Sequence, residues 1–94
     1  MTYSISFLKP AYKEWDKLPP HIKEQFKKKL NERREIPRIK SAVLHGAADI
    51  YKIKLRSSGY RLAYRVIDDR LVIQVVAVGK RDKNAIYKKM LERL

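Results

Sequence analysis

The chain has 94 residues, with 23 lysines and arginines against 10 aspartates and glutamates, so its formal net charge at pH 7 is +13. This length fits one domain, residues 1–94, and the absence of cysteine excludes disulfides and thiolate metal sites. No apolar run approaches the roughly 20 residues of a membrane span, and the first eight residues are too short and polar for a signal peptide, so we expect a soluble, cytoplasmic protein.

The positive charge is spread along the chain rather than collected in a tail. Residues 9–40 contain 11 basic and 5 acidic side chains, and residues 41–94 contain 12 and 5. Small soluble domains usually carry a net charge of magnitude about 2 to 8. Distributed positive charge gains affinity for a polyanion by displacing counterions from phosphates, which favours nucleic acid as the partner. An anionic membrane surface is the competing class of partner.

The first half of the chain predicts one strand and two helices. Residues 2–8 alternate between polar and apolar side chains, as a half-buried strand does. A helix starts at Pro10 and ends before Pro19, and an amphipathic helix runs from His21 to the residue before Pro37. Residues 37–48 have no period and predict a long loop. Three aromatic residues at helical spacing are expected in the core: Tyr12, Trp15 and Phe26.

The second half predicts an antiparallel meander followed by a helix. Residues 50–56, 60–67 and 71–78 are rich in β-branched and aromatic side chains, and turn residues separate them. Asp82 is a candidate N-cap for the last helix. The element order is therefore βααβββα, an α+β fold with helices packed on a mostly antiparallel sheet.

Alternation along the first two strands of this meander collects basic residues on one face. Lys52, Lys54 and Arg56 lie opposite an apolar set, and so do Arg61 and Arg65. A two-residue or a four-residue connection pairs Lys54 with Arg61, whereas three residues would place the two apolar sets on opposite faces. The pattern thus predicts a strip of Lys52, Lys54 and Arg61, which we call the cationic strip.

This strip has a functional and a purely structural interpretation. Like charges facing one another across strands cost a few tenths to about 1 kcal/mol a pair, so they add nothing to stability. The structural alternative is a solvated sheet face. Val72 and Val76 fall on the same face of the third strand, however, and this predicts a partly covered surface with charges at its centre.

Other basic residues are candidate RNA contacts. They are Lys27 and Lys28 on the amphipathic helix, which otherwise form a solvated face, together with Arg56 and Arg65. His45 in the long loop is either a surface residue or a neighbour of a phosphate. The chain has no glycine-rich phosphate loop, no paired carboxylates at a useful spacing and no nucleophile elbow.

A continuous segment of the second half, with two shorter matches after it, resembles a known family. Residues 51–62, YKIKLRSSGYRL, followed by VGKR at 78–81 and by Tyr87, resemble the RelE-type toxins of bacterial toxin–antitoxin pairs, and the resemblance extends over the whole chain. It implies a microbial-ribonuclease-like fold and an endoribonuclease that cuts mRNA in the ribosomal A site without a cofactor or metal. The implied partners are the 70S ribosome, mRNA and a cognate RelB-like antitoxin, with operator DNA bound only through the antitoxin complex and no membrane.

The resemblance also implies a set of catalytic residues. The matching positions hold Lys52, Lys54, Arg61, Arg81 and Tyr87, and three of these belong to the cationic strip. Where the best-known members have an arginine in the loop, this chain has His45, which leaves an acid–base part open for that residue.

Cleavage by the neighbouring 2′-hydroxyl needs a base, a partner for the leaving 5′-oxygen and positive charge at the phosphorus. With an ordinary pKa near 10, Tyr87 would be only about 0.1% ionised at pH 7, and nearby cations lower such a pKa by one to three units. We expect Tyr87 to act as base, Arg81 to stabilise or protonate the leaving oxygen, and Lys54 and Arg61 to hold the phosphate.

Two other functions fit the same composition. A ParE-like protein shares the fold but poisons DNA gyrase and generally lacks the basic and tyrosine set. A non-catalytic RNA- or DNA-binding module would explain the charge without using Tyr87. Retention of all five residues favours the nuclease.

Overall fold

The computed structural model describes residues 2–44, 48–80 and 85–93, with the side chains of residues 85–87 excepted. The following elements appear in chain order: β1 (Ser4–Phe7), α1 (Lys9–Asp16), α2 (Pro20–Glu35), a 3-10 turn (Lys40–Ala42), β2 (Ile50–Leu55), β3 (Tyr60–Ile67), a second 3-10 turn (Asp68–Arg70), β4 (Val72–Lys80) and α3 (Ala85–Arg93). The predicted order βααβββα and the α+β class are confirmed. No helix in the described part of the chain has the length and hydropathy of a membrane span.

Several boundaries differ from the predicted ones. β1 is shorter than residues 2–8, and β4 continues past Val78 to Lys80 because Lys80 still pairs with Tyr60. The long loop contains the turn Lys40–Ala42 and a bridge between Val43 and Tyr51. The proposed cap, Asp82, lies outside the described residues.

The four strands form one sheet in the order β1-β4-β3-β2. β2 pairs with β3 and β3 with β4 in antiparallel fashion, while β1 is parallel to β4. α1 and α2 lie in the chain between β1 and β2. The expected mostly antiparallel sheet is confirmed, and β2 is left at its edge.

A bulge in β4 allows this strand to serve two cores. Ala63 pairs with Ala77 and Tyr64 with Val75, so Val76 is one extra residue in the ladder. Such an insertion shifts the alternation of side chains beyond it. Val78 consequently lies opposite Leu62 in the core under α1 and α2, whereas Val76 belongs to a second core on the other face.

The two cores cover the two faces of the sheet unequally. On one face, α1 and α2 bury Trp15 and Phe26 against the strands, as predicted. On the other face, Met90 of α3 packs with Val76 and Ala63. The prediction for Tyr12 is wrong: Tyr12 is 51% exposed, because Ala11 and Trp15 occupy the inward side of α1, and its ring makes a T-shaped contact with Phe7.

Glu14 of α1 holds the C-terminal half of α3 on the sheet. Its two carboxylate oxygens accept hydrogen bonds from Arg93 Nη1 and Nη2 at 2.9 and 3.2 Å and from Lys89 Nζ at 3.0 Å. The backbone N–H of Val78 also donates to this carboxylate at 3.2 Å, and Arg93 donates to the Val76 carbonyl at 2.9 Å. Burial raises the pKa of Glu14, but these donors outweigh burial and leave its pKa below the ordinary value.

The Glu14 contacts predict a pH-dependent contribution to stability. Because the pKa of Glu14 is lowered in the folded state, its stabilisation is complete above the ordinary pKa of 4.5 and is lost as the pH falls through the lower, folded-state pKa. Glu14→Gln should reduce the free energy of unfolding by about 1 to 2 kcal/mol at pH 7, with a smaller difference from the wild type at pH 3. Urea unfolding at both pH values measures this.

Glu24→Gln is the matched control. Glu24 forms one exposed pair with Lys27 at 3.5 Å, so its loss should cost less than about 0.5 kcal/mol. Equal losses for the two variants at pH 7, or a Glu14→Gln difference that does not shrink at pH 3, would show that Glu14 does not anchor α3.

Candidate active site

The β2–β3 hairpin brings the cationic strip together as predicted. Lys54 lies directly opposite Arg61 in the antiparallel register, and Leu55 and Tyr60 form the last pair before a connection of residues 56–59. Of the two connections that the pattern allowed, the chain uses the four-residue one. The Gly59 N–H donates to the Leu55 carbonyl at 2.9 Å, and Gly59 has a φ of 77°, where a side chain would be strained.

Alternating burial gives the two faces of β2 opposite character. Tyr51, Ile53 and Leu55 are buried in the core under α1 and α2. Lys52 is half-buried and Lys54 is exposed, and Arg61 is half-buried on the adjacent strand. The strip therefore lies on two paired strands with an apolar core on their opposite face.

Crowding of positive charge is the main electrostatic feature of the strip. The charges of Lys52 and Arg61 lower the pKa of the Lys54 ammonium below its ordinary value, and partial desolvation and Arg56 act in the same direction. The ion pairs of the described residues use other cations, namely Lys27, Arg38, Lys89 and Arg93. Within that part of the chain no carboxylate neutralises Lys52 or Lys54.

Two small cavities adjoin the strip and share Lys54 and Arg56. The first, which we call the hairpin cavity, has a volume of about 330 Å³ and is lined by Lys54, Leu55, Arg56, Gly59 and Arg61. The second, the edge cavity, has a volume of about 280 Å³ and is lined by Arg33, Ser41, Ala42, Lys52, Lys54 and Arg56. Neither lining contains a carboxylate, so both cavities suit an anion.

A larger cavity at the other end of the hairpin has the opposite character. It measures about 600 Å³, and its lining includes Asp49, Asp68 and Asp69. Arg38 donates to both Asp68 oxygens at 2.9 Å and to Asp49 at 3.1 Å. These contacts join loop ends to one another, and the carboxylates would repel a phosphate, so size alone does not mark the active site.

α3 covers part of the face that carries the strip. Met90 is buried against Val76 and Ala63, and the predicted partly covered surface is confirmed. Tyr87 lies one turn before Met90 in α3, which packs against β3 and β4. The side chain of Tyr87, as well as Arg81 and His45, lies outside the described residues. Of the five predicted catalytic side chains, the structure thus describes Lys52, Lys54 and Arg61, and it brings these three together.

The remaining predicted RNA contacts fall in different places. Arg56 lines both cavities beside the strip. Arg65 lines the acidic cavity instead. Lys27 and Lys28 are exposed on α2, which packs on the other face of the sheet, and Lys27 pairs with Glu24. A role in RNA binding stays a prediction for all four.

Arg33 is a site residue that the sequence interpretation missed. Its Nη1 donates to the Lys52 carbonyl at 3.3 Å and to the Tyr64 hydroxyl at 2.9 Å, and Tyr64 donates onward to the Pro37 carbonyl at 2.6 Å. The spacing of Arg33 from the buried Leu30 on α2 was the available signal. Three residues after a core position, a helical side chain lies on the core side.

The described residues contain no cluster of three His, Cys, Asp or Glu side chains that could hold a metal ion. The chemistry available from the described site is therefore charge stabilisation by ammonium and guanidinium groups. Such groups stabilise a phosphate whose negative charge grows during reaction.

Comparison with known proteins places this arrangement in a family. The model of the ParE toxin of type II toxin–antitoxin systems matches residues 5–85. The mRNA interferase toxin RelE of Escherichia coli strain K12 is 50% identical over 94 residues, which is 100% of this chain and 99% of the relative. The mRNA interferase RelE of Shigella flexneri has the same identity and coverage.

Solved structures agree with the sequence relationship. A variant of E. coli RelE with two arginines replaced by alanine, in the free state, superposes with a TM-score of 0.93 at 49% identity, covering 100% of this chain and 99% of that one. The toxin in the intact E. coli RelBE toxin–antitoxin complex gives a TM-score of 0.83 at 53% identity, covering 86% and 99%. The chain therefore belongs to the RelE-type toxins of the ParE toxin family.

Proposed function

We propose that this protein is the toxin of a type II toxin–antitoxin pair and an endoribonuclease that cuts mRNA in the ribosomal A site, which stops translation. The observation that carries the proposal is the pairing of Lys54 with Arg61 beside Lys52, on a face where no described carboxylate neutralises the two lysines. Its full-length relatives are named mRNA interferases. A ribosomal substrate requires a cytoplasmic protein.

The reaction we propose is attack by the 2′-oxygen of the ribose on the adjacent phosphorus. A bond forms between that oxygen and phosphorus while the bond to the 5′-oxygen breaks, leaving a 2′,3′-cyclic phosphate and a 5′-hydroxyl. Lys54 and Arg61 bind the non-bridging phosphate oxygens, where charge grows in the transition state. Lys52 extends the positive field and helps to lower the pKa of Lys54.

Tyr87 and Arg81 complete the proposed site from the last segment of the chain. Tyr87 removes the proton from the 2′-hydroxyl, and Arg81 stabilises the charge on the departing 5′-oxygen, which takes its proton from water to become the 5′-hydroxyl. A guanidinium has a pKa above 12 and is a poor acid, so its contribution is mainly electrostatic. His45 is a second candidate for proton transfer.

This site has strong charge stabilisation and a weak base, so it depends on substrate positioning. Holding reacting groups in line is worth up to about 7 to 11 kcal/mol. The ribosome supplies that geometry in the proposed mechanism.

The proposed inhibitor is a RelB-like antitoxin, as in the RelBE complex of E. coli. An acidic or amphipathic segment of such a partner would cover the basic surface or displace the last helix.

Two alternative functions remain for the same fold. The description of the family model names ParE, and a ParE-like protein acts on DNA gyrase. The combined presence of Lys52, Lys54, Arg61, Arg81 and Tyr87 favours the nuclease over both this alternative and a non-catalytic binding module.

The function is tested by comparing free and ribosome-bound mRNA. Purified toxin should cut mRNA within the A-site codon of programmed ribosomes and cut the same free mRNA slowly or not at all, because only the ribosome aligns the 2′-oxygen. Mapping of mRNA ends by primer extension measures both. Equal rates on free and bound mRNA would contradict the mechanism, and gyrase-dependent DNA breaks without RNA cleavage would assign the ParE-like function.

Tyr87→Phe tests the proposed base, because it keeps the ring and removes only the hydroxyl. Single-turnover cleavage on ribosomes should fall by about 10² to 10⁴, with little change in the toxin concentration that gives half the maximal rate. Tyr12→Phe is the matched control, since Tyr12 is 51% exposed on α1 and should retain full activity. A fully active Tyr87→Phe variant would move the role of base to Lys52, Lys54 or His45.

A further inference from the structure

The edge cavity contains an arginine whose environment differs from that of Arg38 and Arg93. Arg38 is held by the carboxylates of Asp49 and Asp68, and Arg93 is held by Glu14. Arg33 is half-buried at the end of α2, and no described carboxylate lies within 4.0 Å of it. A half-buried charge without a counter-ion carries a desolvation cost that an anionic ligand would relieve.

The contacts that Arg33 does make fix its position and leave most of its donors for a ligand. Both described hydrogen bonds use Nη1, one to the Lys52 carbonyl and one to the Tyr64 hydroxyl. Its Cζ also lies 5.8 Å from the centroid of the Tyr64 ring, which is fully buried. Lys52 and Tyr64 thus fix the position of the guanidinium, while its Nε and Nη2 have no hydrogen-bond partner among the described residues.

The composition of the cavity matches a phosphodiester group. Its lining combines the Arg33 guanidinium with Lys52, Lys54 and Arg56, and the exposed Ser41 adds a hydroxyl. A planar guanidinium can bind two phosphate oxygens at once, and lysines add positive charge without directional demands. All the ionisable side chains that line the cavity are basic.

The position of the cavity relates it to the cleavage site. It shares Lys54 and Arg56 with the hairpin cavity, where Arg61 lies. Lys52 and Lys54 are two residues apart on one strand, so their Cα atoms are separated by roughly 6.5 Å. This is of the order of one step along an RNA backbone, so the two lysines can contact consecutive phosphates of one strand, one in each of the adjoining cavities.

We propose that the edge cavity, through Arg33, binds the mRNA phosphate next to the one that is cut. This inference rests on the proposed function and extends it by a second phosphate subsite outside the five catalytic positions. Arg33 is a binding residue in this account: it places the RNA across the edge of β2 and takes no part in proton transfer.

The experiment replaces single mRNA phosphates by neutral methylphosphonates on either side of the scissile position, in programmed ribosomes. With wild-type toxin, one of these two replacements should raise the toxin concentration for half-maximal cleavage about tenfold. The maximal single-turnover rate should change little. Arg33→Met should cause the same tenfold rise on unmodified mRNA, and the methylphosphonate should then add nothing, because the charge and its partner form one interaction.

Arg34→Met is the matched control. Arg34 neighbours Arg33 on α2, is also half-buried, and donates to a backbone carbonyl, that of Tyr3, at 2.8 Å, but it does not line the cavity. This variant should retain the wild-type response to the methylphosphonate.

Ser41→Asp keeps the proposal testable if Arg33→Met does not fold. Ser41 is exposed and makes no described side-chain hydrogen bond, so a carboxylate there should leave the fold intact. It should weaken binding of unmodified mRNA by repelling the phosphate, and the methylphosphonate should relieve that repulsion.

Three results would overturn the proposal. Wild-type toxin that is insensitive to both methylphosphonates would show that neither neighbouring phosphate is bound. Full methylphosphonate sensitivity in Arg33→Met would show that the phosphate is bound elsewhere. Weakened binding by Arg33→Met without any methylphosphonate effect would assign the cavity to ribosomal RNA. Failure of the wild type to cut any programmed mRNA would instead refute the proposed function itself.

Discussion

Repulsion among Lys52, Lys54 and Arg61 is the interaction on which the site depends, and the β2–β3 register imposes it. In the observed register Lys54 pairs with Arg61, whereas a shift of one residue would place the apolar sets of the two strands on opposite faces of the sheet. Burial of Tyr51, Ile53 and Leu55 on the opposite face thus holds like charges together at a cost of up to about 1 kcal/mol a pair. In the proposed mechanism, binding of a phosphate offsets that cost.

Two other features adapt the sheet to this site. The bulge at Val76 lets β4 contribute to the core under α1 and α2 and also to the smaller core beneath α3. Glu14 then joins α1, β4 and α3 through Arg93, Lys89 and the Val78 N–H. Because Tyr87 belongs to α3, the position of its backbone over the strip face depends on these contacts. Glu14 therefore supports the position of α3 and takes no part in the proposed reaction.

Local periodicity was sufficient to predict the elements and the strip. A strand has a period of two, so the faces of Lys52, Lys54 and Arg61 follow from the alternation, and the number of loop residues limits the register. The same reasoning failed for Tyr12. α1 has only eight residues, and Ala11 and Trp15 occupy the side of the helix that faces the core.

Long-range contacts were beyond the reach of local patterns. Glu14 resembles any surface carboxylate in the sequence, and its partners lie 75 and 79 residues further along the chain. The bulge leaves no glycine or proline as a signal at Val76. Arg33 sits among other basic residues on α2, and only the packing of α2 against β2 distinguishes it from them.

The most direct test of the account is the pKa of Lys54, followed by NMR through its Cε–Hε signals. In the free toxin this pKa should lie below the ordinary value of 10.5, and Lys52→Ala or Arg61→Met should raise it by removing a neighbouring positive charge. A bound RNA strand that cannot be cut, with a 2′-deoxyribose at the scissile position, should raise it as well. A pKa of Lys54 that neither substitution nor the bound RNA changes would contradict the claim that crowded positive charge on this strip forms the phosphate-binding site.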